Sequence, residues 1–121
     1  MRRGLVLLMM LLPAHAGAET FTCTYRWAGK LENHPILIEV DGATAVTKGG
    51  YLNPEFRVIE NSPDELIIIE TNTKKRSGKD YPIGASLIIL DKATKRMVRS
   101  NTHTDESFNN HAVGTCSPVL K

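Results

Sequence analysis

The chain contains only two cysteines, and they lie near its two ends, at Cys23 and Cys116. A bond between them would close a loop across 93 positions of the sequence. On the chain-entropy model such a closure is worth about 4–5 kcal/mol, which is a large share of a small domain's net stability. A chain stapled in this way must fold so that its first and last segments lie side by side.

The first residues indicate an oxidising compartment. Two arginines precede an unbroken apolar run over residues 5–12, and small residues follow it. This layout is typical of a secretory signal, with cleavage after Ala18 or, as the alternative, after Ala16. The run is short for a bilayer span, which argues against an uncleaved anchor. We predict a signal peptide over residues 1–18, a single periplasmic or secreted domain over residues 19–121, and no membrane span after cleavage.

Export favours a structural disulfide between Cys23 and Cys116. The alternatives are a metal-binding pair and a catalytic thiol. Neither cysteine has a second cysteine or a histidine at zinc-site spacing, and the sequence contains no C-x-x-C motif. We therefore predict that one bond joins the first strand to the last.

The net charge argues against a nucleic-acid partner. The full chain carries 15 Lys and Arg against 13 Asp and Glu. Loss of the signal peptide removes Arg2 and Arg3 and leaves a neutral chain. Nucleic-acid binding requires a net basic surface or a concentrated basic stripe, and the basicity of this chain belongs to its export signal.

The pattern of apolar residues predicts an all-β fold. In "TFTCTYRW", Phe21, Cys23, Tyr25 and Trp27 alternate with polar residues, as in a strand with one buried face. Further strands are predicted over residues 35–40, 43–47, 55–60, 66–71, 85–90 and 96–100 and around Cys116. We predict a small antiparallel barrel or tight sandwich of about seven or eight strands, with the first and last joined by the disulfide. An open sheet with a helix is the alternative.

Two long polar segments, residues 72–82 and 101–114, are predicted to be exposed loops and therefore the binding surface. The second segment contains four potential metal ligands. Their spacing matches no established site, and we predict no metal and no cofactor. These residues are His103, Asp105, Glu106 and His111.

No motif assembles a reaction. A G-x-S-x-G elbow is absent from the sequence, and Glu39, Glu60 and Glu70 lie on predicted strands, where we expect them to face solvent. We predict a protein that is not an enzyme and has no catalytic residues. Basic residues in two stretches are expected to form a soluble surface, with an anion-attracting face as the alternative. They are Lys74, Lys75, Arg76 and Lys79, and Lys92, Lys95, Arg96 and Arg99.

The two cysteines and the segment "SGKDY" resemble features of the small bacterial inhibitors of c-type lysozyme. The resemblance implies a disulfide-tied β-barrel that inserts a loop into the lysozyme cleft. Ser77 and Tyr81 would enter the cleft, and Lys79 would pair with its carboxylates. The family's second loop carries a Lys-Gly pair, whereas "YPIGASL" here contains no lysine. The sequence is equally similar to small exported proteobacterial β-proteins that have no assigned role.

Together these features predict a non-enzymatic binding protein with a protein partner in the cell envelope. A carrier of a small or anionic ligand inside the barrel is one alternative. An envelope structural protein is another.

Overall fold

The computed structural model describes residues 18–30, 33–50, 54–70 and 83–120, and the predicted signal peptide lies outside these ranges except for Ala18. Alternating apolar residues form eight strands here, and one 3-10 helix (Glu106–Phe108) lies between the last two. The strands are β1 (Glu19–Trp27), β2 (His34–Asp41), β3 (Thr44–Lys48), β4 (Glu55–Asn61), β5 (Glu65–Glu70), β6 (Gly84–Asp91), β7 (Arg96–His103) and β8 (Asn110–Pro118).

The strands form a closed barrel in which each strand pairs with its neighbours along the chain and β8 pairs back with β1. Every pairing is antiparallel. The all-β prediction is confirmed, and of its two forms the structure is the barrel. Closure gives each of the eight described strands a partner on both sides, which solves the edge problem that open sheets must solve in other ways.

The predicted disulfide is confirmed at the seam where the barrel closes. Cys23 on β1 pairs directly with Cys116 on β8, and their Cα atoms lie 4.0 Å apart. Seven residue pairs join these two strands, from Phe21 opposite Pro118 to Trp27 opposite Ala112. The seam is therefore closed both by a hydrogen-bonded ladder and by a covalent bond.

Alternation along each strand fills the barrel with apolar side chains. The β1 prediction is confirmed for Phe21, Cys23 and Tyr25, which are buried, whereas Trp27 packs half-buried against the core. On β5, the outward Ile67 and Ile69 are only half-buried, so this strand is fully covered on its inner face alone. The remaining core residues are Ile36, Ile38, Val40, Ala45, Phe56, Leu66, Ile68, Ile88, Leu90, Met97, Ala112 and Cys116.

The connections sort by length between the two ends of the barrel. Tight turns at residues 42–43, 62–64 and 92–95 lie at one end, which we call the short-turn end. The connections 28–33, 49–54, 71–83 and 104–109 leave the opposite end, which we call the long-loop end. This division follows from the up-and-down order of the strands, because alternate connections must lie at the same end.

The prediction of a loop over residues 101–114 is wrong for most of that range. Strand β7 runs to His103 and β8 begins at Asn110, which leaves a connection of six residues. The polar residues at both ends of this range belong to paired strands, in which Asn101 and Asn110 are register partners and bond to each other. Asn101 Nδ2 donates to Asn110 Oδ1 over 2.8 Å.

A polar cluster covers the short-turn end. Lys92 Nζ donates to Asn61 Oδ1 over 2.7 Å and lies 3.4 Å from a carboxylate oxygen of Glu19. The same ammonium group lies 5.7 Å from the centre of the Phe21 ring, above the core. Lys92 is therefore held by the fold itself, although its sequence context predicts a free surface cation.

Candidate functional site

Polar side chains lie on the inward faces of neighbouring strands near the long-loop end, where Glu70 and Ser86 are buried and Asn110 is exposed. Glu70, Ser86, Asn101 and Asn110 occupy matched register positions on the four consecutive strands β5 to β8. Ser86 Oγ donates to Asn101 Oδ1 over 2.5 Å, and Asn101 in turn donates to Asn110. We call these four residues the inner polar tier. The barrel thus changes from an apolar core to a polar interior toward this end.

Glu70 corrects one expectation. Its position among the strand carboxylates predicts a solvent-facing side chain, but it is only 4% exposed. It lies on the same face of β5 as the buried Leu66 and Ile68, so the period-two pattern itself places it inside. Glu39 does face outward and forms an ion pair with Lys48 over 3.0 Å, and Glu60 is exposed.

Arg99 is the second correction. The sequence predicts that it belongs to a basic surface, yet it shares the inward face of β7 with the fully buried Met97. Its Nη1 atom donates to the Tyr25 hydroxyl over 3.3 Å. The guanidinium carbon lies within 6 Å of three ring centres, at 5.8 Å from Tyr25, 5.8 Å from Trp27 and 5.9 Å from Phe56. Stacking on aromatic faces at this range stabilises a desolvated guanidinium.

A cavity of about 300 Å³ opens beside Arg99 at the long-loop end, and we call it the mouth cavity. Two of the polar atoms of its lining, Arg99 Nε and Thr47 Oγ1, are buried and have no hydrogen-bond partner within the described ranges. His34 begins β2, and its ring centre lies 5.8 Å from that of Tyr25. The described residues of the lining are Tyr25, Trp27, His34, Pro35, Ile36, Thr47, Gly49, Gly50 and Arg99.

The connection between β7 and β8 is ordered by Asp105. Its carboxylate accepts hydrogen bonds from the Ser107 hydroxyl over 2.7 Å and from the Ser107 backbone N–H over 3.0 Å. These bonds hold the pKa of Asp105 below its ordinary value. Within the described ranges, no three His, Cys, Asp or Glu side chains lie close enough to hold a metal ion together.

The three residues predicted to bind a partner, Ser77, Lys79 and Tyr81, lie outside the described residues. The strand residues that flank their segment are described. Glu70 ends β5 and Gly84 begins β6, and both lie at the long-loop end. The two strand ends that flank the segment therefore lie at the end of the barrel that carries the inner polar tier.

Comparison of the chain with protein-family models, with curated proteins and with solved structures finds no match. In the part of the chain that the structure describes, no helix is long and apolar enough to cross a membrane. The structure thus describes a disulfide-closed barrel of eight strands, with an apolar core and with the inner polar tier at its long-loop end.

Proposed function

We propose that the protein is an exported, non-enzymatic binding protein that engages a protein partner through its long-loop end. The sharpest form of the proposal is inhibition of a cell-wall hydrolase such as c-type lysozyme. One observation carries it, which is that all four longer connections leave the barrel at the same end as the inner polar tier. Loops held by a rigid scaffold are where binding residues concentrate.

The segment from residue 71 to residue 83 is the best candidate for the contact. All six residues of β5 pair with β6, from Glu65 opposite Asp91 to Glu70 opposite Ser86. A segment held at both ends by such a ladder loses less entropy on binding than a free chain. Lysozyme cleaves sugar with two cleft carboxylates, and Lys79 would supply an opposite charge to them.

The disulfide supports the exported compartment, because such bonds persist in oxidising environments. The barrel's apolar core also argues for binding at the long-loop end rather than in the centre of the barrel. Phe56, Leu66 and Ile68 are almost completely buried and pack together in the core. The filled core therefore disfavours a carrier that uses the whole barrel interior. A small-molecule function is supported at the mouth cavity alone.

The test is a titration of lysozyme activity with the oxidised protein, purified from the exported fraction of cells that express the full chain. We expect activity to fall in proportion to added protein until equal molar amounts are reached. Unchanged lysozyme activity at large excess would remove this form of the proposal. The partner would then be sought by cross-linking in the envelope.

Two variants assign the contact. Ser77→Ala combined with Tyr81→Ala should abolish inhibition, and Lys79→Ala should weaken it. Thr44→Ala is the matched control, because Thr44 is exposed at the short-turn end and should leave inhibition unchanged. Equal loss in the control would indicate general unfolding rather than a lost contact.

A further inference from the structure

The mouth cavity carries chemistry that the hydrolase proposal does not use. We propose that it is a binding site for a small organic carboxylate, which the Arg99 guanidinium and the Thr47 hydroxyl hold while its ring packs on Trp27. This site stands on the described residues alone. It does not depend on the segment that contains Ser77, Lys79 and Tyr81.

The guanidinium is positioned to receive an anion. Its Nη1 atom is bonded to the Tyr25 hydroxyl, while Nε on the other edge is buried and has no hydrogen-bond partner among the described residues. That second edge presents parallel N–H groups, which match the two oxygens of a carboxylate. The rings of Tyr25, Trp27 and Phe56 all have their centres within 6 Å of the guanidinium carbon, and these contacts restrict the side chain before a ligand arrives.

The electrostatics favour the same ligand. Among the described residues of the lining, Arg99 is the only permanently charged group, and none carries a carboxylate. A half-buried cation that has no counter-ion among the described residues has lost hydration, and its contacts with the aromatic rings compensate for only part of that loss. A bound carboxylate would restore that interaction with charge-assisted hydrogen bonds.

Thr47 supplies the second contact. It is only 2% exposed, and its hydroxyl has no hydrogen-bond partner in the described part of the chain, although buried polar atoms are nearly always bonded. The Thr47 side chain faces inward between the ends of β2 and β4 and lines the same cavity as Arg99. Its hydroxyl can donate a hydrogen bond to an oxygen of the bound carboxylate, because that oxygen keeps a free lone pair after it accepts from the guanidinium.

Cavity size and lining limit the ligand class. A volume of about 300 Å³ is at the lower end of the range for small-molecule sites. It suits one ring bearing one carboxylate. Trp27 and Pro35 provide apolar surface for that ring, whereas a phosphate dianion would call for more cationic groups than Arg99 alone.

Trp27 makes the test direct, because it is the only tryptophan of the chain and lines the cavity. The oxidised protein is titrated with benzoate, and Trp27 emission is followed. We expect a saturable change with benzoate and binding at least about tenfold weaker for benzamide, which keeps the shape without the charge. Phenyl phosphate is the third probe and should bind more weakly than benzoate.

Variants then assign the two polar contacts. Arg99→Lys keeps the charge but loses the fork, so benzoate affinity should fall about tenfold. Thr47→Val should reduce affinity by a smaller factor. Arg96→Lys is the matched control, since Arg96 lies on the same strand but is exposed at the short-turn end.

The proposal is overturned by any of three results. The first is the absence of a saturable change with benzoate up to about 10 mM, a concentration that would detect even weak binding. The second is equal binding of benzamide and benzoate, and the third is tighter binding of phenyl phosphate than of benzoate. The comparison of benzoate with benzamide uses the unmodified protein, so it decides the question even if Arg99→Lys does not fold. Loss of benzoate binding would leave the lysozyme titration unaffected, and the reverse also holds.

Discussion

Cys23 and Cys116 are direct register partners on the first and last strands, so the disulfide lies across the seam that turns an eight-stranded sheet into a barrel. Both side chains are buried in the core beside Phe21 and Ile36. The bond thus fixes the seam from inside, while the ladder between β1 and β8 fixes it through backbone hydrogen bonds.

Removing the bond should lower stability without opening the barrel. For the double variant Cys23→Ala and Cys116→Ala we expect a loss of about 4–5 kcal/mol in the free energy of unfolding, because the unfolded chain regains the entropy of a long loop. Urea unfolding of the variant and of the oxidised protein measures the difference. An unchanged midpoint would show that the β1–β8 ladder alone determines stability.

Gly114 makes the same seam possible. It pairs with Tyr25, and a Cβ at this position would overlap the Thr24 carbonyl oxygen and come within 2.6 Å of the Tyr25 Cα atom. Backbone cannot move aside as a flexible side chain can. Gly114→Ala should therefore cost about 3 kcal/mol or more, at the upper end of the usual cost of overpacking.

Gly42 provides the comparison for that variant. It has a φ of 65° in the β2–β3 turn, but a Cβ added at this position would meet nothing within 4 Å. Gly42→Ala should cost only the backbone strain of the left-handed region, about 1–2 kcal/mol. Thermal unfolding of both variants tests the ranking, and a larger loss for Gly42→Ala would contradict the steric argument.

The sequence predicts the strands well because alternation reports burial directly. The same alternation is enough to place Arg99 inside, since it lies two residues after Met97, just as Glu70 lies two after Ile68. Their charge argues for the surface, and at both positions the strand period outweighs it. The cavity could not be predicted, because it depends on which strands meet across the barrel, and strand order is a property of the closed sheet.

Lys95 is the one described residue other than glycine with a positive φ, at 69°. The turn needs this conformation, because the Lys95 backbone N–H donates to the Asp91 carbonyl and its own carbonyl accepts from Cys116. Lys95→Gly removes the strain of about 1–2 kcal/mol but adds backbone entropy to the unfolded chain. We expect a net gain of up to about 1 kcal/mol, measured as a higher urea midpoint. A lower midpoint would mean that the lysine side chain contributes contacts that outweigh the strain.

Asp91 should make stability depend on pH. Backbone N–H groups, that of Thr94 foremost and then that of Ala93, hold its pKa below the ordinary value of 3.8. A depressed folded-state pKa contributes stability that is present above pH 3.8 and is lost as the pH falls through the folded value. Asp91→Asn should therefore be less stable than the natural protein at neutral pH, and the difference should shrink below about pH 4. Melting temperatures across this range measure it, and a difference independent of pH would contradict the assignment.

Thr47→Val should separate stability from binding. The Thr47 hydroxyl is buried and has no partner among the residues that the structure describes. Removing such a group while keeping the side-chain shape commonly relieves about 1 kcal/mol or more of desolvation cost. We expect a higher melting temperature together with weaker binding of benzoate, because the fold does not need the hydroxyl and the proposed ligand does. Thr47→Ser, which keeps the hydroxyl, is the control and should retain binding while losing stability with its methyl group. A valine variant that is less stable than the natural protein would show that the hydroxyl serves the fold, and the case for Thr47 as a ligand contact would fall with it.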